Sequence, residues 1–118
     1  MKENVIKEKS YKFALMVIEL SKYLVQRKEF VLSGQLLRSG TSIGANVEEA
    51  LAGQSRADFL SKMSISSKEA REANYWLRLL RDSKTCDEIR LRPALLESEE
   101  LINILSSIVK TTAKNKKL

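Results

Sequence analysis

The 118-residue sequence predicts a single all-α domain folded as an antiparallel up-down-up-down four-helix bundle. Glycine (4 residues) and proline (1 residue) are scarce, while leucine, alanine, lysine, glutamate and serine are frequent, as in helical proteins. Apolar residues recur at three- and four-residue steps in four stretches. Only short connections separate these stretches, and short connections favour antiparallel neighbours.

The helices are expected at about residues 4–28, 33–52, 55–83 and 93–113, followed by a basic C-terminal tail. Ser33 and Ser55 are the expected N-caps of the second and third helices, and Gly53 is the expected stop between them. Residues 84–90 are expected to form a loop. Pro93 then suits the first turn of the fourth helix, where no N–H donor is needed.

The third helix carries the clearest core pattern, a heptad seam. Its members are Phe59, Met63, Ser66, Ala70, Ala73, Leu77 and Leu80. In the first helix the positions that recur at three- and four-residue steps are Val5, Lys9, Phe13, Met16, Val17, Leu20 and Leu24. The apolar face of the second helix has Leu36, Gly40, Ile43, Gly44, Val47 and Leu51, and that of the fourth has Leu95, Leu96, Ile102, Leu105, Ile108 and Val109. Glycine costs about 1 kcal/mol relative to alanine inside a helix, so Gly40 and Gly44 indicate close approach to a neighbouring helix.

Two further stripes have two possible explanations each. Ile65, Trp76 and Leu79, flanked by Glu69 and Glu72, either form an oligomer interface or widen the core stripe of the third helix. The second helix carries a polar stripe of Arg38, Ser42, Asn46 and Glu49. It is either a solvated face or part of an inter-subunit hydrogen-bond network in which Arg38 binds a carboxylate such as Glu49 or Glu69.

The net charge of +6, with a pI near 9.6, suits a nucleic-acid partner but also an ordinary basic protein. On the third helix, Lys68, Arg71, Tyr75 and Arg78 share the arc opposite the seam, with Arg81 nearby. Cations spaced along one face with an aromatic ring between them can follow a phosphate backbone while the ring stacks on a base. The alternative is a solvated helix face that Glu72 partly neutralises. The tail adds Lys114, Lys116 and Lys117 as auxiliary contacts.

Catalytic chemistry is poorly represented in the sequence. There is no histidine, and Glu69 and Glu72 give only Glu-x-x-Glu where a di-iron bundle uses Glu-x-x-His. We therefore expect no enzyme, cofactor or metal site. Cys86 is the only cysteine, so no intrachain disulfide is expected, which suits a reducing cytoplasm. No apolar run approaches the length of a membrane span, and the first residues lack a signal-peptide core, so a cytoplasmic protein without a membrane partner is expected.

The region from Phe30 to Leu80 includes the run RSGTSIGANVEEA. The residues that fit a known pattern are Gln35, Arg38, Ser39, Gly40, Ser42, Ile43, Asn46, Glu49, Gln54, Ser55, Asp58, Phe59, Lys68, Glu69, Glu72, Tyr75, Trp76 and Leu77. Nearly the whole chain resembles the four-helix-bundle proteins known as 23S rRNA-intervening sequence proteins. Ser66 and Ser67 depart from that pattern, which has an alanine and an aliphatic residue there.

The resemblance implies a bacterial, non-enzymatic bundle that assembles into a ring-like homopentamer. Such proteins are encoded in intervening sequences of large-subunit rRNA genes, and related proteins act beside a reverse transcriptase in diversity-generating retroelements. The leading hypothesis is therefore an oligomer that binds structured RNA or DNA with little sequence preference. The alternative is a structural or adaptor oligomer whose partner is another protein, such as a reverse transcriptase.

Overall fold

Four long α-helices account for most of residues 2–115, the part of the chain that the structure, a computed structural model, describes. They are α1 (Lys2–Gln26), α2 (Phe30–Ala52), α3 (Arg56–Asp82) and α4 (Glu88–Asn115). Each helix packs against the next in the chain, and α1 packs against α4. The diagonal pairs, α1 with α3 and α2 with α4, are farther apart: within residues 2–115, no Cα atom of one helix lies within 8 Å of a Cα atom of the other. The result is a rod-like bundle of 51 × 21 × 20 Å.

Neighbouring helices run antiparallel, as the sequence predicts. Near the start of α2, Arg38 contacts Glu72 in the second half of α3, while near the end of α2, Glu49 contacts Lys62 in its first half. The connections 27–29, 53–55 and 83–87 are too short to reverse this order. The structure confirms the predicted fold class. No helix within residues 2–115 combines the length and hydropathy that a membrane span requires.

The predicted heptad seam of α3 is confirmed. Six of its members are buried and Phe59 packs half-buried against the same core. Ser66, which departs from the family pattern, is fully buried, and its hydroxyl donates to the carbonyl oxygen of Ile43 on α2 at 2.9 Å. A buried hydroxyl costs free energy unless it is hydrogen-bonded. The bond to α2 therefore lets a serine occupy the centre of the seam.

The predicted start of α2 is wrong by three residues. The helix begins at Phe30, because the carboxylate of Glu29 accepts a bond from the Leu32 N–H at 3.4 Å and takes the capping role expected of Ser33. Ser33 is instead buried within the first turns, and its hydroxyl donates to the Phe30 carbonyl. α1 ends at Gln26, two residues early, and Lys28 turns the chain with a φ of 66°.

The predicted start of α4 is wrong by five residues. The helix begins at Glu88, where the Asp87 carboxylate accepts a bond from the Ile89 N–H at 3.2 Å. Pro93 therefore lies in the second turn and not in the first. Pro93 cannot donate to the carbonyl of Ile89, and both residues are exposed, so water can satisfy that carbonyl. The expected loop of residues 84–90 is shortened accordingly.

Three expected core positions are wrong. Because α4 starts early, its heptad begins at Leu91 and continues through Leu101, which leaves Leu96 57% exposed. Val5 and Leu51 are also exposed, and the adjacent Ile6 and Ala50 are buried in their place. By contrast, α3 lies within one residue of its expected bounds. Its Ser55 cap is confirmed, since the hydroxyl accepts from the Asp58 N–H at 3.0 Å.

The close approach predicted at Gly40 occurs between α1 and α2. A Cβ atom at Gly40 would lie 2.7 and 2.8 Å from the two γ-methyl carbons of the fully buried Val17. At Gly44 the nearest atoms belong to Ser10, at 3.4 Å, which is ordinary contact. Gly40 therefore sets the spacing of the two helices, because Val17 has a stiff, branched side chain with no free space around it.

We expect Gly40→Ala to lower the free energy of unfolding by about 1–3 kcal/mol, because the added methyl overpacks the Val17 contact. Gly34→Ala is the matched control on the same helix. No atom lies within 4 Å of its added Cβ, so it is expected to stabilise the protein by about 0.5–1 kcal/mol through helix propensity. Urea denaturation measures both. Equal effects of the two substitutions would contradict the packing explanation.

Candidate nucleic-acid interface

Helix α3 presents carboxylates towards α2. The Arg38 guanidinium of α2 lies 3.3 Å from both carboxylate oxygens of Glu69, and it also donates a short hydrogen bond to Glu72. Trp76 donates its indole N–H to the same Glu72 oxygen at 3.2 Å. The hydrogen bond from Arg38 is the largest cause of the lowered pKa of Glu72, partial burial opposes it, and the Trp76 bond adds to it. Both carboxylates are thus bound to Arg38.

These bonds of Arg38 lie within one chain, and the inter-subunit network that the sequence left open as one of two explanations stays a prediction. Glu69 is a partner, as expected, but Glu49 instead forms an ion pair with Lys62 at 3.0 Å. The rest of the polar stripe bonds its own helix: Ser42 donates to the Arg38 carbonyl at 2.6 Å, and the Asn46 amide donates to the Ser42 carbonyl at 2.8 Å.

The predicted basic stripe lies on the other side of α3, towards α4. Lys68, Arg71, Tyr75 and Arg78 are all exposed, and Arg71 donates to the hydroxyl of Ser106 on α4 at 3.0 Å. Across residues 2–115, no carboxylate lies within ion-pair distance of Lys68, Arg71 or Arg78. Glu72 could have neutralised this stripe, but it faces α2 and is bound by Arg38.

Arg78 is held in place by a buried polar chain. Its Nε donates to the side-chain oxygen of Asn74 at 2.8 Å, the Asn74 amide donates to Ser98 on α4 at 2.9 Å, and Ser98 donates to the Leu95 carbonyl. The guanidinium also lies 5.7 Å from the centroid of the Tyr75 ring. Only Nε is used in the hydrogen bond, so the two terminal nitrogens remain available to a phosphate.

The other predicted cations are less favourably placed. Arg81 forms an ion pair with its neighbour Asp82 at 2.7 Å, and together with the charges of Glu88 and Glu99 this raises the pKa of Arg81. Lys114 is exposed near the end of α4, where Asn115 contacts Arg56 at the start of α3. Lys114 therefore lies level with Arg56, and Arg56 is about 18 Å from Lys68 along the axis of α3. Lys116 and Lys117 lie outside the described residues.

The stripe of Ile65, Trp76 and Leu79 is only partly exposed. Trp76 is half-buried against the core, and its ring meets that of Tyr75 edge-on, with 5.1 Å between centroids and 66° between planes. Leu79 is half-buried and Ile65 is 38% exposed. The contacts of Trp76 within its own chain fit a ring that widens the core stripe.

A further set of exposed apolar side chains, which the sequence did not reveal, lies on α1 and the first third of α2. Its members, the α1–α2 apolar face, are Tyr11, Leu15, Val25, Phe30, Val31 and Leu37. Tyr11, Phe30 and Val31 are 64%, 60% and 73% exposed. Assigning residues 29–32 to a loop hid this face, because Phe30 and Val31 then appeared to be isolated loop residues.

Within residues 2–115, no group of three His, Cys, Asp or Glu side chains is arranged to hold a metal ion. Cys86 is buried, and burial raises the pKa of its thiol, although Arg90 and Arg27 oppose the rise. A thiol that stays protonated is a weak nucleophile.

The model of the 23S rRNA-intervening sequence protein family matches residues 2–107, almost the whole chain. The chain belongs to this family. A crystal structure of a protein of unknown function from the S23 ribosomal protein family, from Bacteroides thetaiotaomicron, is similar to it with a TM-score of 0.89. The two sequences are 49% identical, and the match covers 93% of this chain and 99% of that one. No curated protein matches.

In this 23S rRNA-intervening sequence protein, we expect Glu72→Gln to lower stability at neutral pH by less than about 1 kcal/mol, because water screens a partly exposed ion pair. Since the folded-state pKa of Glu72 lies below its ordinary value of 4.5, its contribution is complete above that pH and is lost as the pH falls further. Urea denaturation between pH 7 and pH 3 should show the wild-type and variant curves converging at the acid end. A constant difference would show that ionisation of Glu72 is not responsible.

Proposed function

We propose that this protein is a non-enzymatic, oligomeric bundle that binds structured RNA or DNA through phosphate contacts, with little dependence on sequence. The observation that carries the proposal is the separation of charge on α3. Arg38 binds Glu69 and Glu72 on the α2 side, while within residues 2–115 no carboxylate lies within ion-pair distance of the exposed Lys68, Arg71 and Arg78. Beyond that distance Arg78 acts on Asp82: the hydrogen bond from Arg81 is the largest cause of the lowered pKa of Asp82, and the charge of Arg78 adds to it. Cations without a carboxylate in ion-pair distance can bind phosphates and release the counterions of the nucleic acid.

The spacing of the stripe suits a nucleic-acid backbone. Lys68 and Arg78 are ten residues apart, about 15 Å along a helix, and one strand of a duplex rises about 3.4 Å per phosphate. Arg78 is held by Asn74 before any ligand arrives, which lowers the entropy lost on binding. Tyr75 is 46% exposed beside it and can stack on an unpaired base. Arg81 contributes less, because Asp82 already binds it.

Arg71→Gln/Arg78→Gln tests this surface. Fluorescence anisotropy with an RNA hairpin and a matched DNA duplex, titrated across salt, should show weaker binding to both. If each arginine makes one phosphate contact, the negative slope of the logarithm of the association constant against the logarithm of the salt concentration should become shallower by about 1.4–1.8 per chain. Lys7→Gln/Lys12→Gln on α1 removes the same charge from exposed positions elsewhere and should change the slope less. Equal slopes in both variants would refute a specific role for the stripe.

The oligomer is proposed to form through the α1–α2 apolar face, and the resemblance to the family favours a homopentamer. Isolated apolar residues are normal on a surface, whereas clustered ones are typical of an interface. Between Val25 and Leu37 this face forms a groove lined mainly by carbon atoms. Assembly would also concentrate the +6 charge of each chain and strengthen the attraction for phosphates.

Leu37→Glu and Ile65→Glu form a matched pair, because the two side chains are 36% and 38% exposed on different helices. Sedimentation velocity should show a reduced solution mass for Leu37→Glu and an unchanged mass for Ile65→Glu. The opposite pattern would move the interface to the stripe that includes Trp76. A monomeric wild-type protein would refute self-assembly, and the apolar face would then favour the second candidate function, an adaptor for another protein.

A further inference from the structure

A second cationic group lies at the other edge of α4, in the groove between α1 and α4. The Arg90 guanidinium stacks over the ring of Tyr23, with Cζ 3.8 Å from the ring centroid, and the Cζ atom of Arg27 lies 5.5 Å from the same centroid. Two like charges are thus held against one aromatic ring. Neither arginine forms an ion pair within residues 2–115.

The carboxylates near this group are already engaged. Within the described chain, Glu19 is the acidic residue that lines the groove, and Lys22 binds it at 3.4 Å. Asp87 caps α4 by accepting the Ile89 N–H. The positive charges of Arg90 and Arg27 also act on the neighbouring Cys86, where they oppose the rise in pKa that burial causes. The charge of Asp87 acts on the same thiol in the opposite sense, so two guanidiniums stand against that carboxylate.

The helix dipole explains the position of Arg27 but not that of Arg90. Arg27 follows the last residue of α1, where a cation is favoured by the negative end of the helix. Arg90 lies in the first turn of α4, where the positive end of the helix disfavours it. A cation held there by stacking adds to the positive potential of the helix terminus and favours an anion. Stacking also leaves the N–H edge of the guanidinium free to bind that anion.

We infer that Arg27 and Arg90, positioned by Tyr23, bind the terminal phosphate monoester of a nucleic-acid strand. The inference rests on the proposed nucleic-acid binding and assigns it a second, distinct contact. A terminal phosphate carries a charge near −2, whereas an internal phosphodiester carries −1. Two guanidiniums whose Cζ atoms lie 5.5 and 3.8 Å from one ring centroid concentrate positive charge for a dianion, while the extended stripe on α3 matches a backbone of single charges. The protein would therefore prefer strands with a phosphorylated end.

The test compares three RNAs of one sequence, carrying a 5′-phosphate, a 3′-phosphate or no terminal phosphate. We expect the wild-type protein to bind at least one phosphorylated strand about fivefold more tightly than the unphosphorylated strand at moderate salt. Arg27→Gln/Arg90→Gln should abolish that preference and keep most of the affinity for the unphosphorylated strand. Arg71→Gln/Arg78→Gln should lower all three affinities and keep the preference.

The possible failures can be distinguished. If none of the three RNAs binds, the proposed function is wrong and the assignment of the strand end falls with it. If all three bind equally, only the assignment of the strand end is overturned. A titration with inorganic phosphate, followed by NMR of the arginine Nε–H signals, adds a third arm. A response at Arg90 without any preference for phosphorylated RNA would mean that the groove takes free phosphate, which also overturns the assignment.

Discussion

The ion pairs of Arg38 across the α2–α3 contact determine how charge is distributed over this bundle. A single guanidinium on α2 binds two carboxylates one turn apart on α3, Glu69 and Glu72. Glu72 lies four residues after Lys68, so on an isolated helix these two side chains could form an ion pair. Arg38 instead binds both carboxylates on the α2 side. The positive potential of the cations on α3 is then not cancelled by these two carboxylates, and the contact between α2 and α3 leaves a basic surface on α3.

The core of the bundle imposes a different constraint, which is close spacing between helices. Gly40 allows Val17 of α1 to reach the backbone of α2, and Ala70 and Ala73 keep the α3 seam narrow. Ser66 also allows close spacing, since its small side chain fits the seam and its hydroxyl donates to the Ile43 carbonyl on α2. Tight approach between α2 and α3 in turn supports the Arg38 ion pairs, because a guanidinium can reach two carboxylates only across a short distance.

The sequence was sufficient for features that a single helix specifies by itself. The seam of α3 was predictable because its heptad is uninterrupted and the Ser55 cap marks its start. The start of α4 was not, because Pro93 is a strong but ambiguous signal: it suits a first turn and is also tolerated on an exposed face one turn later. The partners of Arg38 required the register between α2 and α3. Spacing on one helix identifies a stripe but does not reveal which residues of a neighbouring helix, in the same chain or another, lie opposite it.

The same limitation explains why the Arg27–Tyr23–Arg90 group was missed. Its members come from the end of α1 and the first turn of α4, 63 positions apart in sequence between Arg27 and Arg90, and no periodic pattern connects them. They meet because antiparallel packing brings those two helix termini to one end of the bundle. The α3 stripe, by contrast, is a property of one helix and is visible in the sequence. The two groups also differ in physical character: the stripe spreads single charges over several turns of α3, whereas Tyr23 gathers two guanidiniums around one ring. If both bind phosphate, the first would respond to the length of the strand and the second to its end, and α4 would separate the two contacts.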